Sequence, residues 1–188
     1  MNFQVAYSKI EKIPGWFSIE DAEAIFPLIL KSKKIVEVGS FLGKSSMFIS
    51  SFKNITCIDS WTGMNKKLLT VGLKCEEDDY YDFFKQFTFE HKEKITTIRS
   101  LDKEVFNNWS EAKIDLLFLD HAHTYDSVYE SLIGWKPHMQ KFGKIFIHDG
   151  NWIQVKNAID DSKINQLKIY KKSVFEPILC SWDNFKYL

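Results

Sequence analysis

A chain of 188 residues falls within the usual span of one domain, and no Pro-, Gly- or Ser-rich linker divides it, so a single domain over residues 1–188 is expected. Hydrophobic residues make up 45% and aromatic residues 15%, enough apolar material for a sizeable core, which excludes an intrinsically disordered chain. Twenty-five basic residues balance twenty-five acidic ones, which removes the broad positive field of a protein that grips nucleic acid by its phosphates and points to small partners.

The start Met1-Asn2-Phe3-Gln4 lacks the basic flank and apolar stretch of a signal peptide. No apolar run nears the roughly 20 residues of a membrane span. No membrane partner is expected, and the three cysteines, with Cys57 and Cys180 in apolar runs and Cys75 apart, fit a reducing, cytoplasmic setting. Phe3, Val5 and Tyr7 offer an apolar face on which a second copy could pack, so a homo-oligomer is an open expectation.

Ser18 followed by Asp21 makes a capping-box pattern, and Ala22, Ile25, Phe26 and Ile29 recur at helical spacing behind it, which predicts a helix with a kink near Pro27. Residues 1–33 form this N-terminal helical segment. Lys34-Ile35-Val36-Glu37-Val38 is short, β-branched and stopped by Gly39, as a buried strand is before a turn, and a helix follows from about Lys44. Further strands are expected near Ile55–Ile58, Ile95–Ile98, Leu116–Leu119 and Lys144–Ile147, with helical patterns between most of them.

The clearest helix carries Tyr125, Val128, Tyr129, Leu132 and Ile133 as one stripe and ends near Gly134–Pro137. Trp61 to Glu93 is the least regular part: a loop with an acidic cluster at Glu76 to Asp79, then a helix whose Tyr80, Tyr81, Phe83, Phe84 and Phe87 cover the sheet. After a helix around Val155–Ile159, Leu167–Tyr170 and Pro177–Trp182 read as an antiparallel pair at the sheet edge, within residues 161–188. The fold class is therefore α/β, with a mostly parallel seven-stranded sheet and a C-terminal edge hairpin.

The segment Glu37-Val38-Gly39-Ser40-Phe41-Leu42-Gly43-Lys44-Ser45 leaves a strand and opens a helix, which puts glycines where backbone amides approach a ligand. Asp59 ends the next strand, where a carboxylate can accept hydrogen bonds from both hydroxyls of a ribose. The spacing Gly-x-x-x-Gly lacks the third glycine that brings a helix end against a pyrophosphate, so a nucleoside ligand without phosphates is favoured over a nicotinamide dinucleotide. Asp120 and His123 follow the fourth strand, and His148 and Asp149 end the fifth, so both clusters are expected on the rim beside the cofactor.

Glu37 to Ser45, Ile58-Asp59-Ser60-Trp61-Thr62-Gly63, Leu117-Phe118-Leu119-Asp120-His121-Ala122-His123-Thr124-Tyr125 and Gly143 to Asp149 occur in this order. Together, over about residues 16–158, they resemble the class I S-adenosylmethionine-dependent methyltransferases, in particular small-molecule O-methyltransferases of the catechol type and of the macrolide-sugar and cephalosporin-pathway type. The resemblance implies a Rossmann-like doubly wound fold with a cofactor core over about 34–160, and methyl transfer to a hydroxyl of a small molecule such as a sugar or natural-product intermediate.

It further implies that Glu37, Gly39 and Phe41 line the methionine part of S-adenosylmethionine, with Ser45 at its carboxylate and Ser40 and Gly43 also among the cofactor-binding residues. Asp59 would hold the ribose, with Ser60 and Trp61 beside the adenosine and Ser100 and Leu101 near the adenine. His123 would be the general base, His121 its rival or a cofactor contact beside Asp120. Asp120 and Asp149 resemble carboxylates that hold a divalent cation such as Mg2+. His148 and Gly150 depart from the two families' patterns, and an imidazole at His148 would tilt the preference toward transition ions. A nicotinamide-dependent oxidoreductase and a non-catalytic subunit of the same fold are the alternatives.

Overall fold

The computed structural model describes residues 1–63, 65–75 and 78–182. Its spine is a seven-stranded sheet of order β3-β2-β1-β4-β5-β7-β6. The strands are β1 (Ile35–Val38), β2 (Ile55–Asp59), β3 (Ile95–Arg99), β4 (Ile114–Leu119), β5 (Met139–Ile147), β6 (Asn165–Ile169) and β7 (Ile178–Ser181). The first five are parallel, and β7 runs antiparallel to both β5 and β6.

Helices cover both faces, which is why β1 is buried along its whole length and reads as an unbroken apolar run apart from Glu37. They are α1 (Phe3–Ile10), α2 (Ile19–Lys31), α3 (Lys44–Ser50), α4 (Asn65–Thr70), α5 (Tyr81–Thr88), α6 (Asp102–Asn107), α7 (Tyr125–Trp135) and α8 (Ile153–Asp161). One core layer joins Ile35, Phe118 and Phe146 of the sheet to side chains of α1, α2, α3 and α5. The opposite layer joins Val36, Val38, Leu117 and Leu119 to α6, α7 and α8. Neighbouring sheet residues thus alternate between layers, as the period of a strand requires.

Three parts differ from the sequence expectation. Helix α1 is additional: Asn2 caps it, its side chain accepting from the Val5 amide at 2.9 Å. Its Phe3 ring packs edge-on against Phe26 and Phe48, at 5.3 and 5.4 Å. Tyr7 also reaches Phe48, so both aromatics are partly buried inside this chain, and Val5 alone of the three is exposed. The Trp61 to Glu93 stretch carries two helices, α4 and α5, with Tyr80 and Phe84 buried as core. Glu76 and Glu77 of its acidic cluster lie outside the described residues. The outer edge strand β6 starts at Asn165, earlier than expected. Helix α2 runs on through Pro27 to Lys31.

Strands β1 and β4 are neighbours whose following helices, α3 and α7, lie on opposite faces. The chain therefore parts at their carboxyl ends, and a crevice opens there. Gly39 holds the two strand ends together at φ +90°, and a Cβ on it would stand 2.2 Å from the Asp120 carbonyl oxygen. Glu37, one strand period earlier, points toward α3 and is fully buried. Its carboxylate accepts from the Ser40 hydroxyl at 2.7 Å, from Ser45 at 2.5 Å and from Ser46, so it staples the glycine turn to the first turn of α3. Burial pushes the Glu37 carboxyl above its ordinary value, and the serine hydroxyls offset only part of that.

Gly39→Ala combines a backbone clash with left-handed strain, and we expect a loss of about 2–4 kcal/mol in urea unfolding. Glu37→Ala strands three hydroxyls without an acceptor and should cost about 2–4 kcal/mol, whereas Glu37→Gln keeps an acceptor and costs less. The folded carboxyl lies above its ordinary 4.5, so ionising it weakens the fold as pH rises through that value. The deficit of Glu37→Gln against wild type should therefore be smaller at pH 7 than at pH 4.

Candidate active site

The turns that follow four strands rise side by side from the carboxyl edge of the sheet because their first amides continue the ladder. Gly39 donates to the Ile58 carbonyl at 2.9 Å, Asp120 to Val38 at 2.9 Å, His148 to Leu119 at 3.0 Å and Ser100 to Asp59 at 3.1 Å. Between them opens a cavity of about 920 Å³. Its size suits a ligand of a few hundred daltons together with a second small molecule.

At one end stands Asp59. Its Oδ2 accepts from the Phe41 amide at 2.9 Å and its Oδ1 from the Trp61 amide at 2.7 Å, with the Tyr80 hydroxyl at 3.3 Å. Both amides belong to residues in the left-handed region, Phe41 at φ 45° and Trp61 at φ 53°, where a bulky side chain costs about 1–3 kcal/mol. The indole of Trp61 closes the ring of contacts by donating to the Phe41 carbonyl at 2.9 Å. One carboxylate thus ties the glycine turn after β1 to the turn after β2. Burial raises the Asp59 carboxyl above its ordinary value, against the two amides that lower it. The same burial, with Asp59 beside it, pushes the Tyr80 phenol up.

Of the residues expected to touch a cofactor, Gly39, Ser40, Phe41, Ser45, Asp59, Ser60, Ser100, Leu101, Asp120 and His121 all line the cavity. Three stand behind its wall. Glu37 is consumed by the serine hydroxyls. Gly43, at φ +86°, lies against Thr88 and Phe84, and Trp61 is wedged between Tyr81 and Phe84 with ring centroids at 4.7 Å from each. His121 also lines the cavity, with Nε2 2.8 Å from the Ser131 hydroxyl and Nδ1 3.0 Å from the Ala122 carbonyl. Ser131 and the Trp135 indole in turn donate to Asp102, so α6 and α7 hold this imidazole in place.

The other end of the cavity gathers Asp120, His123, His148 and Asp149. His123 Nε2 lies 3.2 Å from Asp149 Oδ2 and 3.6 Å from Asp120 Oδ1. His148 Nδ1 lies 3.2 Å from Asp120 Oδ1 and 3.6 Å from Asp149 Oδ2. Neither nitrogen makes an aligned hydrogen bond. Asp149 is held left-handed at φ 51°, which turns its carboxylate toward the cluster instead of along the chain. His123 therefore joins the carboxylates, while His121, its rival from sequence, does not.

Burial opposes both charges here, yet the paired charges win. The imidazoles of His148 and His123 bring the Asp120 carboxyl down to about 2, and the carboxylates of Asp120, Asp149 and Asp21 hold His148 well above the ordinary histidine value. Asp21 is the residue that sequence reasoning read only as a helix cap. It is fully buried, 3.4 Å from His148 Nε2. Around the cluster the cavity wall is aromatic: Trp16 and Phe41, whose rings are 5.7 Å apart, Trp152 at 5.3 Å from the His123 ring, and Phe175 at 4.6 Å from His148.

No helix among the described residues is long and apolar enough to cross a membrane. Residues 36–150 match the family model described as a methyltransferase domain. No curated protein matches the chain. Among solved structures, it is similar to CalS11, a TDP-rhamnose 3'-O-methyltransferase of calicheamicin biosynthesis, at 14% identity with a TM-score of 0.60, covering 86% of this chain and 77% of that one. It is also similar to a putative caffeoyl-CoA O-methyltransferase from Staphylococcus aureus, at 15% identity and a TM-score of 0.59, covering 96% and 91%. A third is Aeropyrum pernix fibrillarin with natively bound S-adenosyl-L-methionine, at 9% identity and a TM-score of 0.54, covering 79% and 65%. The chain belongs to the methyltransferase-domain family, and its sheet is that of a class I S-adenosylmethionine-dependent methyltransferase resembling the small-molecule O-methyltransferases.

Proposed function

We propose that this protein methylates a hydroxyl of a small molecule such as a sugar or natural-product intermediate, with His123 as the general base. The observation that carries the reading is a single cavity bounded by Asp59 at one end and by the Asp120, His123, His148 and Asp149 cluster at the other. S-adenosylmethionine, when bound, supplies a methyl carbon on a sulfonium and leaves as S-adenosylhomocysteine.

The chain's own residues do the rest. Asp59 keeps lone pairs beyond those used by the two amides, which suits it to accept the ribose hydroxyls. Ser100 and Leu101 line the cavity where the adenine would lie, and because the Ser45 hydroxyl is donated to Glu37, the first turn of α3 would meet the methionine carboxylate through its backbone amides. Methyl transfer is an in-line displacement, so alignment of the acceptor oxygen dominates. The aromatic wall of Trp16, Trp152 and Phe175 offers flat apolar surface against which an acceptor ring can rest, and an acceptor seated there would displace water from that line. His123 lines the cavity, and its Nε2, close to Asp149 but without an aligned hydrogen bond, is suited to take the acceptor's hydroxyl proton as its oxygen bonds to carbon and the carbon–sulfur bond breaks.

Asp120, Asp149 and His148 would hold a divalent cation, Mg2+ or another, whose charge lowers the pKa of an acceptor hydroxyl. The donor set fits: two carboxylate oxygens and a buried imidazole nitrogen whose hydrogen-bonding capacity is otherwise unused. A small acceptor is favoured over nucleic acid by the zero net charge and by the enclosed position of the cluster.

The test is formation of S-adenosylhomocysteine with divalent cations and the acceptor classes named for the two O-methyltransferase neighbours, nucleotide-linked deoxysugars and catechol-bearing thioesters. With a turned-over acceptor, His123→Ala should lower kcat by about 10²- to 10⁴-fold and leave S-adenosylhomocysteine affinity unchanged. Undiminished turnover in that variant would remove His123 as the base.

A further inference from the structure

Asp21 lies in the first turn of α2, where its Oδ2 accepts from the Ser18 amide at 2.9 Å and the Ser18 hydroxyl at 2.8 Å. Capping carboxylates ordinarily face water, but this one is fully buried, and its Oδ1 accepts from the Ser173 hydroxyl in the turn before β7 at 2.6 Å. A carboxylate is costly to bury unless its charge is used. Here its Oδ2 also lies 3.4 Å from His148 Nε2, 127 residues further along the chain.

That contact fixes what the other side of the ring can do. In the neutral ring, with Nε2 carrying its proton toward Asp21, Nδ1 presents its lone pair to Asp120 Oδ1 and Asp149 Oδ2, at 3.2 and 3.6 Å, and a cation there would take the place of the Nδ1 proton that the same carboxylates otherwise hold. Two carboxylates facing a lone pair repel it unless a positive charge lies between them. The His148 side chain is 1% exposed and its Nδ1 has no hydrogen-bond partner, so this nitrogen is held toward the cluster without being spent there. The donor atoms of the cluster all lie within 4.8 Å of one another. Metal bonds of about 2.0–2.2 Å put neighbouring ligand atoms roughly 3 Å apart, the spacing seen between Nδ1 and Asp120. Phe118 and Phe175 flank the imidazole and keep it from turning away.

We propose that Asp21 is a positioning residue that holds His148 by Nε2 and so makes Nδ1 a nitrogen ligand, giving the site a preference for Mn2+, Fe2+, Co2+ or Zn2+ over Mg2+. It rests on the metal-assisted reading above and adds to it the orienting group and the class of ion. Magnesium favours an all-oxygen shell, whereas imidazole suits the transition ions. A carboxylate behind a metal-bound histidine fixes its tautomer and raises its basicity, and loss of such a partner typically costs about 10- to 100-fold in metal affinity.

The experiment uses the full chain, stripped with chelator and titrated with Co2+ under its visible d–d absorption, then challenged with Mg2+. One equivalent should bind, and equimolar Mg2+ should not displace it. Asp21→Ala should bind roughly ten- to hundredfold more weakly with an altered spectrum. Asp21→Asn, which keeps a carbonyl oxygen for Nε2–H, should lose less, and S-adenosylhomocysteine affinity should hold in both. If Asp21→Ala does not fold, Ser173→Ala removes only the hydroxyl on Oδ1 and should weaken Co2+ several-fold. Folded Asp21 or Ser173 variants with wild-type Co2+ affinity and spectrum would overturn the positioning role, and displacement by equimolar Mg2+ would overturn the ion preference. A wild-type protein that takes up no Co2+ or Mn2+ at millimolar concentration would overturn the metal reading with both, while retained S-adenosylhomocysteine binding would leave methyl transfer itself standing.

Discussion

The Asp59 carboxylate is the contact on which one end of the cavity, the end proposed to hold the cofactor, depends. Two turns that would each carry left-handed strain, at Phe41 and Trp61, are held because both direct their amides at one buried acceptor. Charge-assisted hydrogen bonds of this kind are roughly twice as strong as neutral ones, so the pair is of the right size to offset the strain. The consequence is geometric: the end of β2 and the turn after β1 cannot move independently. Glu37 repeats the device one layer deeper, spending a fully buried carboxylate on three serine hydroxyls so that the glycine turn and α3 move as one body.

The opposite end of the cavity is held by charge. Asp120 and Asp149 come from turns after β4 and β5, His148 sits between them, and the two chain ends converge behind it through Asp21 of α2 and Ser173 near β7. The Asp59 end of the cavity is thus made by β1, β2 and β3, and the end that holds the Asp120, His123, His148 and Asp149 cluster by β4, β5 and the two terminal segments. Gly39 is the seam, since its backbone touches Asp120 where the halves meet. On the proposed function, this division would separate affinity for the cofactor from the chemistry and the choice of acceptor, with Trp16, Trp152 and Phe175 lining the acceptor side.

What the sequence disclosed was what is local. The alternation of short apolar runs with helical stripes marked all seven strands, because a strand buried on both faces leaves an uninterrupted signal such as Ile35 to Val38. Gly39 and Asp59 were legible because each closes such a run. Helix α1 had its signal too, Phe3, Ala6, Tyr7 and Ile10 behind Asn2, but over eight residues a stripe does not distinguish a docked helix from an exposed patch. The burial of Trp61 and Glu37 behind the cavity wall has no local signature, since only the packing of α3 and α5 decides which side of a turn faces the cavity. Asp21 was hidden for a different reason: its capping role accounts for it fully until the fold brings His148 beside it.

Calorimetry of S-adenosylhomocysteine binding to the wild-type protein and to Asp59→Asn tests the central claim most directly. The account predicts one site in the wild type and roughly ten- to hundredfold weaker binding in a variant that remains folded, since a charged acceptor for the ribose hydroxyls is lost. Equal affinity in the two proteins, or no heat from the wild type at millimolar ligand, would contradict it.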